Sequence, residues 1–177
     1  MPFAIAVKRP ILAAVAALIA MSAPLAGAGA AGSGGTGLPL PRYVSLKAER
    51  VNMRVGPGTE YAVSWLYLKR GLPMEVVQEY DLWRRVRDSE GTEGWVYHSL
   101  LSGDRTAEAA PWLKGKEATI DVRAQASEDS TLIAQMQPGV VSKVDTCGLG
   151  WCEIEVAGRT GYVHQHEIWG VYPDEQF

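Results

Sequence analysis

Cys147 and Cys152 are the only cysteines in the 177-residue chain, and they flank the segment Gly148-Leu149-Gly150-Trp151. The spacing is not C-x-x-C. An oxidising compartment favours a disulfide between them, with a redox pair or a metal pair as the alternatives. Strand parity complicates the bridge: Cys152 shares a face with Ile154, while Val144 and Cys147 fall on opposite faces. A β-bulge in the hairpin brings both thiols together. His164 and His166 are one residue apart and so share a strand face. With a third ligand they could hold zinc. Apart from Glu167 no carboxylate set lies near, so they read as exposed strand-end histidines and no metal is expected. There is no G-x-S-x-G, no H-E-x-x-H and no phosphate-cradling glycine loop before a helix. No catalytic residue and no cofactor are expected, and the chain reads as non-enzymatic.

Aromatic side chains are the remaining candidates for recognition, because they join a large contact area to a polar handle. Trp65, Tyr67, Tyr80, Trp83, Trp95 and Tyr97 crowd one stretch, and Tyr61 follows the Gly56-Pro57-Gly58 turn. A small β-domain also needs aromatics in its core, and Trp83 and Trp95 are expected to be packed. That leaves Tyr61, Trp65, Tyr67, Tyr80 and Tyr97 as ligand-binding candidates, Tyr61 foremost. Arg54 is expected to brace the loop through backbone carbonyls rather than touch a ligand.

The elements that must position these residues are short strands. Helical periodicity is scarce after residue 31, while Gly and Pro punctuate β-branched and aromatic runs, which favours an all-β class. An internal repeat organises them. Val51-Asn52-Met53-Arg54 matches Ile120-Asp121-Val122-Arg123, 69 residues on. Gly71 matches Gly139 and Trp83 matches Trp151, both 68 on. Gly94-Trp95-Val96 matches Gly161-Tyr162-Val163, 67 on, and the drift falls in loops, which tolerate deletions. Cys152, Ile154 and Val156 alternate with Glu153 and Glu155, and Val51, Met53 and Val55 with Asn52 and Arg54, the signature of half-buried strands. About five such strands are expected to curl into a barrel, removing exposed edges. Glu79 and Arg84 match the two cysteines, so one cross-strand site can hold a salt bridge in one copy and a disulfide in the other.

The N-terminus reads as a targeting segment. Lys8 and Arg9 precede the apolar Pro10–Met21 stretch, and Ala26-Gly27-Ala28 and Ala28-Gly29-Ala30 have the A-x-A form of a cleavage site. A retained anchor is the alternative, though the apolar run is short of the about 20 residues of a span. Cleavage removes Lys8 and Arg9 and no acid, leaving 15 basic and 20 acidic residues, a net of −5. Nucleic-acid and membrane-surface roles, which want a basic stripe, are not expected.

The stretch Val51-Asn52-Met53-Arg54-Val55-Gly56-Pro57-Gly58-Thr59-Glu60-Tyr61 resembles the opening signature of bacterial SH3 (SH3b) domains. The Gly71 turn, the Trp83 strand and the closing Gly94-Trp95-Val96 continue the pattern. The second copy keeps Val122-Arg123, Pro138-Gly139, Gly150-Trp151-Cys152 and Gly161-Tyr162-Val163. It replaces Gly56-Pro57-Gly58 with Gln125-Ala126-Ser127, which puts its first loop in question. The resemblance implies two tandem SH3-like barrels, over 43–103 and 112–172 with a linker over 104–111; before them the residues themselves indicate a signal peptide over 1–30 and a flexible Gly/Ala/Pro linker over 31–42. Arg54, Gly56, Pro57, Trp83, Trp95, Arg123, Trp151 and Tyr162 take structural roles. It also implies binding rather than catalysis. The expected ligand of a periplasmic or secreted module is a peptidoglycan stem peptide or an envelope protein; an adaptor subunit without peptidoglycan binding is the alternative.

Overall fold

The computed structural model describes residues 35–177; the expected signal peptide, residues 1–30, lies outside them. The first sheet is built from β1 (Arg42–Leu46), β2 (Val51–Arg54), β3 (Val63–Tyr67), β4 (Pro73–Tyr80), β5 (Trp83–Arg87), β6 (Glu93–Tyr97) and β7 (Leu101–Ser102). The second is built from β8 (Thr106–Ala109), β9 (Ile120–Arg123), β10 (Leu132–Met136), β11 (Val141–Gly148), β12 (Trp151–Val156), β13 (Arg159–His164) and β14 (Ile168–Trp169). The strand orders are β3-β2-β6-β5-β4-β1-β7 and β10-β9-β13-β12-β11-β8-β14, the same order strand for strand. All pairings are antiparallel, and each sheet wraps its own apolar core as an SH3-like barrel. Among the described residues no helix is long and apolar enough to cross a membrane.

Alternation places the cores. In β2, Val51 and Met53 point inward and are fully buried, while Asn52 and Arg54 point out. Trp83 pairs with Tyr97 as Trp151 pairs with His164, and Arg54 faces Trp95 as Arg123 faces Tyr162. The two tryptophans, and Trp95 with Tyr162, are therefore equivalent. A side chain at Gly94 would strike Met53 and the Arg54 carbonyl, and one at Gly161 would strike Val122. Each closing strand thus carries a glycine where the β2-type strand crosses directly against it. Gly71 and Gly139 both hold a positive φ, 78° and 89°, at the turn before the longest strand.

The boundaries differ from the sequence expectation in two places. Residues 106–109 are not linker but strand β8, paired to β11 through Ser142↔Ala107 and to β14 through Ile168↔Ala109. The repeat offset is hidden there. Val44 and Ala107 both face the second residue of an equivalent strand, 63 positions apart, against 69 at β2 and β9. The connection carrying the one-turn helix Pro111–Leu113 is six residues longer than its counterpart and displaces the register of the comparison. At the other end, the described part of the expected linker is pinned to the first barrel. Thr36 donates its backbone N–H and its hydroxyl to Glu79, and Arg42 already belongs to β1.

The two barrels lie in one compact unit and touch through specific contacts. The Tyr43 ring packs against Trp169 and Tyr172, with centroids 5.1 and 4.7 Å away. The Tyr172 hydroxyl donates to Glu75 Oε1 at 3.1 Å, and Arg87 donates to Glu75 Oε2 at 2.6 Å. Ser89 donates to the buried Glu108 at 2.6 Å, and Lys114 pairs with the same carboxylate at 2.8 Å.

Candidate functional site

Cys147 and Cys152 form a disulfide across the β11–β12 hairpin, with Cα atoms 4.1 Å apart. The register slips between Val144 and Thr146, so Asp145 is the extra residue and the two cysteines face each other. Both are buried in the second core. In β4–β5 the same slip falls between Val76 and Gln78, and it brings Glu79 opposite Arg84. Those two side chains form an ion pair, Nε to Oε1 at 3.2 Å, with the Glu79 carboxylate shielded from solvent. Burial acts to raise the Glu79 pKa, but hydrogen bonds from the Thr36 N–H, Arg42 and the Thr36 hydroxyl outweigh it and draw the pKa down to about 2. Arg84 Nη1 donates to the carbonyls of Asp81 and Trp83.

The outer face of β2, β6 and β5 gathers aromatic and basic side chains in the first barrel. Cross-strand pairing sets the rows: Arg54 beside Trp95 beside Arg85, and Tyr97 beside Trp83. Trp83 meets Tyr97 edge-on at 5.5 Å, and Tyr80 meets Trp95 edge-on at 6.5 Å. Next to them opens a groove of about 430 Å³, floored by Trp83 and Tyr97 and walled by Arg50, Asn52, Arg54 and Thr59. Arg85 pairs with Glu93 and Arg87 with Glu75, whereas Arg50 and Arg54 meet no carboxylate among the described residues.

Of the five expected ligand-binding aromatics, the structure brings Tyr80 and Tyr97 to this face. Tyr61 stays in the adjoining loop, 42% exposed, its ring lying over Gly56. Trp65, 51% exposed, stands on the edge strand β3, away from the groove. Tyr67 is placed differently from the expectation: its ring is part of the core and its hydroxyl donates to Asp88 at 2.8 Å. Burial, reinforced by that bond, pushes its pKa far above the ordinary value. Trp83 is buried as expected, but beneath Tyr97 on the outer face rather than in the core cluster, and Trp95 is half-buried. Sequence reasoning passed over Arg50, Asn52 and Thr59. The outward phase of β2 was the available signal for Asn52; nothing local marked the other two.

The loop after β2 is braced as the arginine reading expects. Arg54 Nη1 donates to the Tyr61 carbonyl at 2.6 Å, and Arg123 Nη1 donates to the Ser130 carbonyl at 2.9 Å. The backbone bonds match too: Gly58 to Gly56 and Val55 to Ala62 in one loop, Ser127 to Gln125 and Ala124 to Thr131 in the other. The second loop therefore keeps its shape without Gly-Pro-Gly, and Pro57 is not needed for the turn. Gly56 answers to a different demand, since any Cβ there would lie 2.4 Å from the Tyr61 ring.

The equivalent face of the second barrel is chemically altered. Trp151 remains and Tyr162 is half-buried, but Tyr97 is replaced by His164, which stacks on Trp151 at 3.7 Å. Its Nε2 lies 2.9 Å from Glu128, which stands where Thr59 does. His166 is 4.9 Å from His164, ring to ring, and no group of three or more metal-ligating side chains exists among the described residues.

The model of the bacterial SH3 domain matches residues 47–103 and again 116–170. Among curated proteins, the chain is 28% identical over 130 residues to the "Putative N-acetylmuramoyl-L-alanine amidase YrvJ" of Bacillus subtilis (strain 168). That match takes in 67% of this chain and 25% of the relative, so the chain spans about a quarter of the relative's length. The solved structures of NlpC2 and NlpC1 from Trichomonas vaginalis align at 11% and 10% identity, with TM-scores of 0.32 and 0.31. They cover 73% and 72% of this chain, and the chain covers 48% and 45% of them. With a family match over each of its two barrels, the chain belongs to the bacterial SH3 domain family and carries two tandem copies.

Proposed function

We propose that the chain is an exported, non-catalytic cell-wall-binding module whose first barrel takes a peptidoglycan stem peptide in the groove beside Trp83 and Tyr97. The observation that carries this reading is the groove itself: about 430 Å³, aromatic at its floor and polar at its walls, on one barrel of a family matched within an amidase-named relative. An extended peptide fits such a site by laying apolar atoms on the rings and backbone groups against Asn52 and Thr59. The chemistry of a hydrolase gains no support from the cysteines, because both are joined in the disulfide. The same disulfide fits a periplasmic or extracellular location.

Co-sedimentation with purified sacculi tests the reading. Wild-type protein should pellet with sacculi and release no soluble fragments from them. Tyr97→Ala should weaken pelleting at least fivefold while keeping the melting temperature within a few degrees, since Tyr97 is half-buried and outside the core cluster. Failure to pellet, with capture of a defined envelope protein instead, would move the adaptor reading ahead.

A further inference from the structure

We infer that the first-barrel groove reads free carboxylates on its peptide, and that the second barrel is built not to. This rests on the stem-peptide reading and narrows it. The groove walls bring two guanidinium groups, Arg50 and Arg54, to one aromatic-floored recess. The arginines on the strands beside and behind the groove, Arg42, Arg84, Arg85 and Arg87, are each paired with a glutamate, and Arg70, in the turn before Gly71, does not line the groove. Arg50 has no hydrogen bond or ion pair among the described residues, and Arg54 uses one nitrogen on the Tyr61 carbonyl. A guanidinium presents five N–H donors in a planar fork, so both retain donors for an incoming carboxylate. Beside two buried or half-buried rings such charge-assisted bonds are less screened than on open surface.

The second barrel changes the sign of the same positions. Arg50 becomes Thr119, Asn52 becomes Asp121, Thr59 becomes Glu128, and Leu100, which also lines the groove, becomes Glu167. The one retained arginine, Arg123, lies 3.8 Å from Asp121, and Glu128 reaches across to His164. These four positions and Arg123 sum to −2, where the five in the first barrel sum to +2. An anionic ligand is attracted to one face and repelled by the other.

Calorimetric titration of the full-length protein decides the matter, using a synthetic stem tetrapeptide with its carboxylates free and the same peptide with every carboxylate converted to the amide. The free form should bind at least tenfold more tightly, with one site per chain, and its affinity should fall as salt rises. Arg50→Gln, an exposed position without internal partners, should cut the discrimination below threefold; Arg54→Lys, which keeps the charge but loses the fork, should reduce it partly. Equal binding of both peptides overturns the carboxylate reading and leaves the stem-peptide proposal standing. Discrimination that survives both variants overturns the assignment to these arginines. Binding of neither peptide overturns the inference together with the proposal beneath it.

Discussion

In the first barrel Glu79 faces Arg84 across a hairpin; in the second, Cys147 faces Cys152 at the same cross-strand position. Both hairpins reach this register through one bulged residue, Val77 in one and Asp145 in the other. Beyond the bulge the longest strand of each barrel has left its other neighbour, and its outer edge needs cover. In the first barrel residues 36–42 supply it, with Thr36 and Arg42 both ending on Glu79. In the second, Cys147 exchanges two backbone hydrogen bonds with Phe177. The fold therefore specifies a shielded side-chain pair at this place without specifying its chemistry. A covalent bridge is self-sufficient. A buried ion pair must be completed by donors recruited from outside the hairpin, because a desolvated charge with an open valence is costly.

The largest effect follows from breaking the ionic version. Glu79→Ala leaves Arg84 shielded and unpaired and releases Arg42 and Thr36 together. Removing one partner of a buried pair costs about 3–5 kcal/mol. Chemical denaturation should show that loss, and hydrogen exchange should locate it in β4–β5 with β11–β12 much less affected. A loss under 1 kcal/mol would mean that the network is ornamental to the first barrel.

Acid should act on the same residue. Glu79 is held at about 2 against an ordinary 4.5, so its contribution is complete above 4.5 and is lost as the pH falls towards 2. Linkage puts the contribution at about 3 kcal/mol. The disulfide does not titrate over this range, although the Glu175 carboxylate, against the raising effect of burial, is also held low by Arg105, and its protonation should loosen the C-terminal segment. Amide protection in β4–β5 should therefore fall between pH 5 and 3 further than in β11–β12. Glu79→Gln should flatten that difference, which assigns it to this carboxylate.

Reducing the second barrel is the next smaller perturbation. The disulfide closes a six-residue loop, for which chain entropy gives about 2 kcal/mol. Dithiothreitol should lower the stability of β11–β12 by that amount without unfolding β4–β5. The converse graft sharpens the comparison: Glu79→Cys with Arg84→Cys should oxidise spontaneously and cost less than Glu79→Ala alone, since no buried guanidinium remains in the hairpin. Free thiols in that double variant after air oxidation would show that the two hairpins are not interchangeable.

The sequence displayed the repeat, the strand alternation and the parity conflict that a bulge resolves, because these are one-dimensional patterns with periods of two and about 68 residues. It concealed β8. Thr106-Ala107-Glu108-Ala109 has a single β-branched residue, and the longer connection after it shifts the offset from 69 to 63. It also concealed the groove. Tyr97 and Tyr80 were visible as aromatics, but Arg50 and Thr59 reach the site from turns whose aim is set by tertiary packing. The burial of Tyr67 is not legible from alternation, which does not say which phase of β3 is the core; Trp65 and Tyr67 share a face by parity, and only the latter is covered.

The smallest expected effect lies in the loop after β2, where two different sequences make one shape. Tyr61 lies on Gly56 in the first barrel; Ser130 stands opposite Gln125 in the second, and its hydroxyl accepts from the Gln125 N–H at 2.9 Å. Gly56 has no positive φ, so glycine is there for the ring and not for the turn. Gly56→Gln alone should displace the Tyr61 ring and cost about 0.5–1 kcal/mol, modest because the loop is exposed and the ring can swing out. Tyr61→Ser alone should cost a similar amount in lost packing. Made together, they install the second barrel's pair in the first, and the double variant should be less destabilised than the two costs added. A favourable coupling of about 0.5 kcal/mol or more is what a contact between the two positions requires. Strict additivity would show that the ring and the glycine are independent, and that the loop is held by Arg54 and its backbone bonds alone.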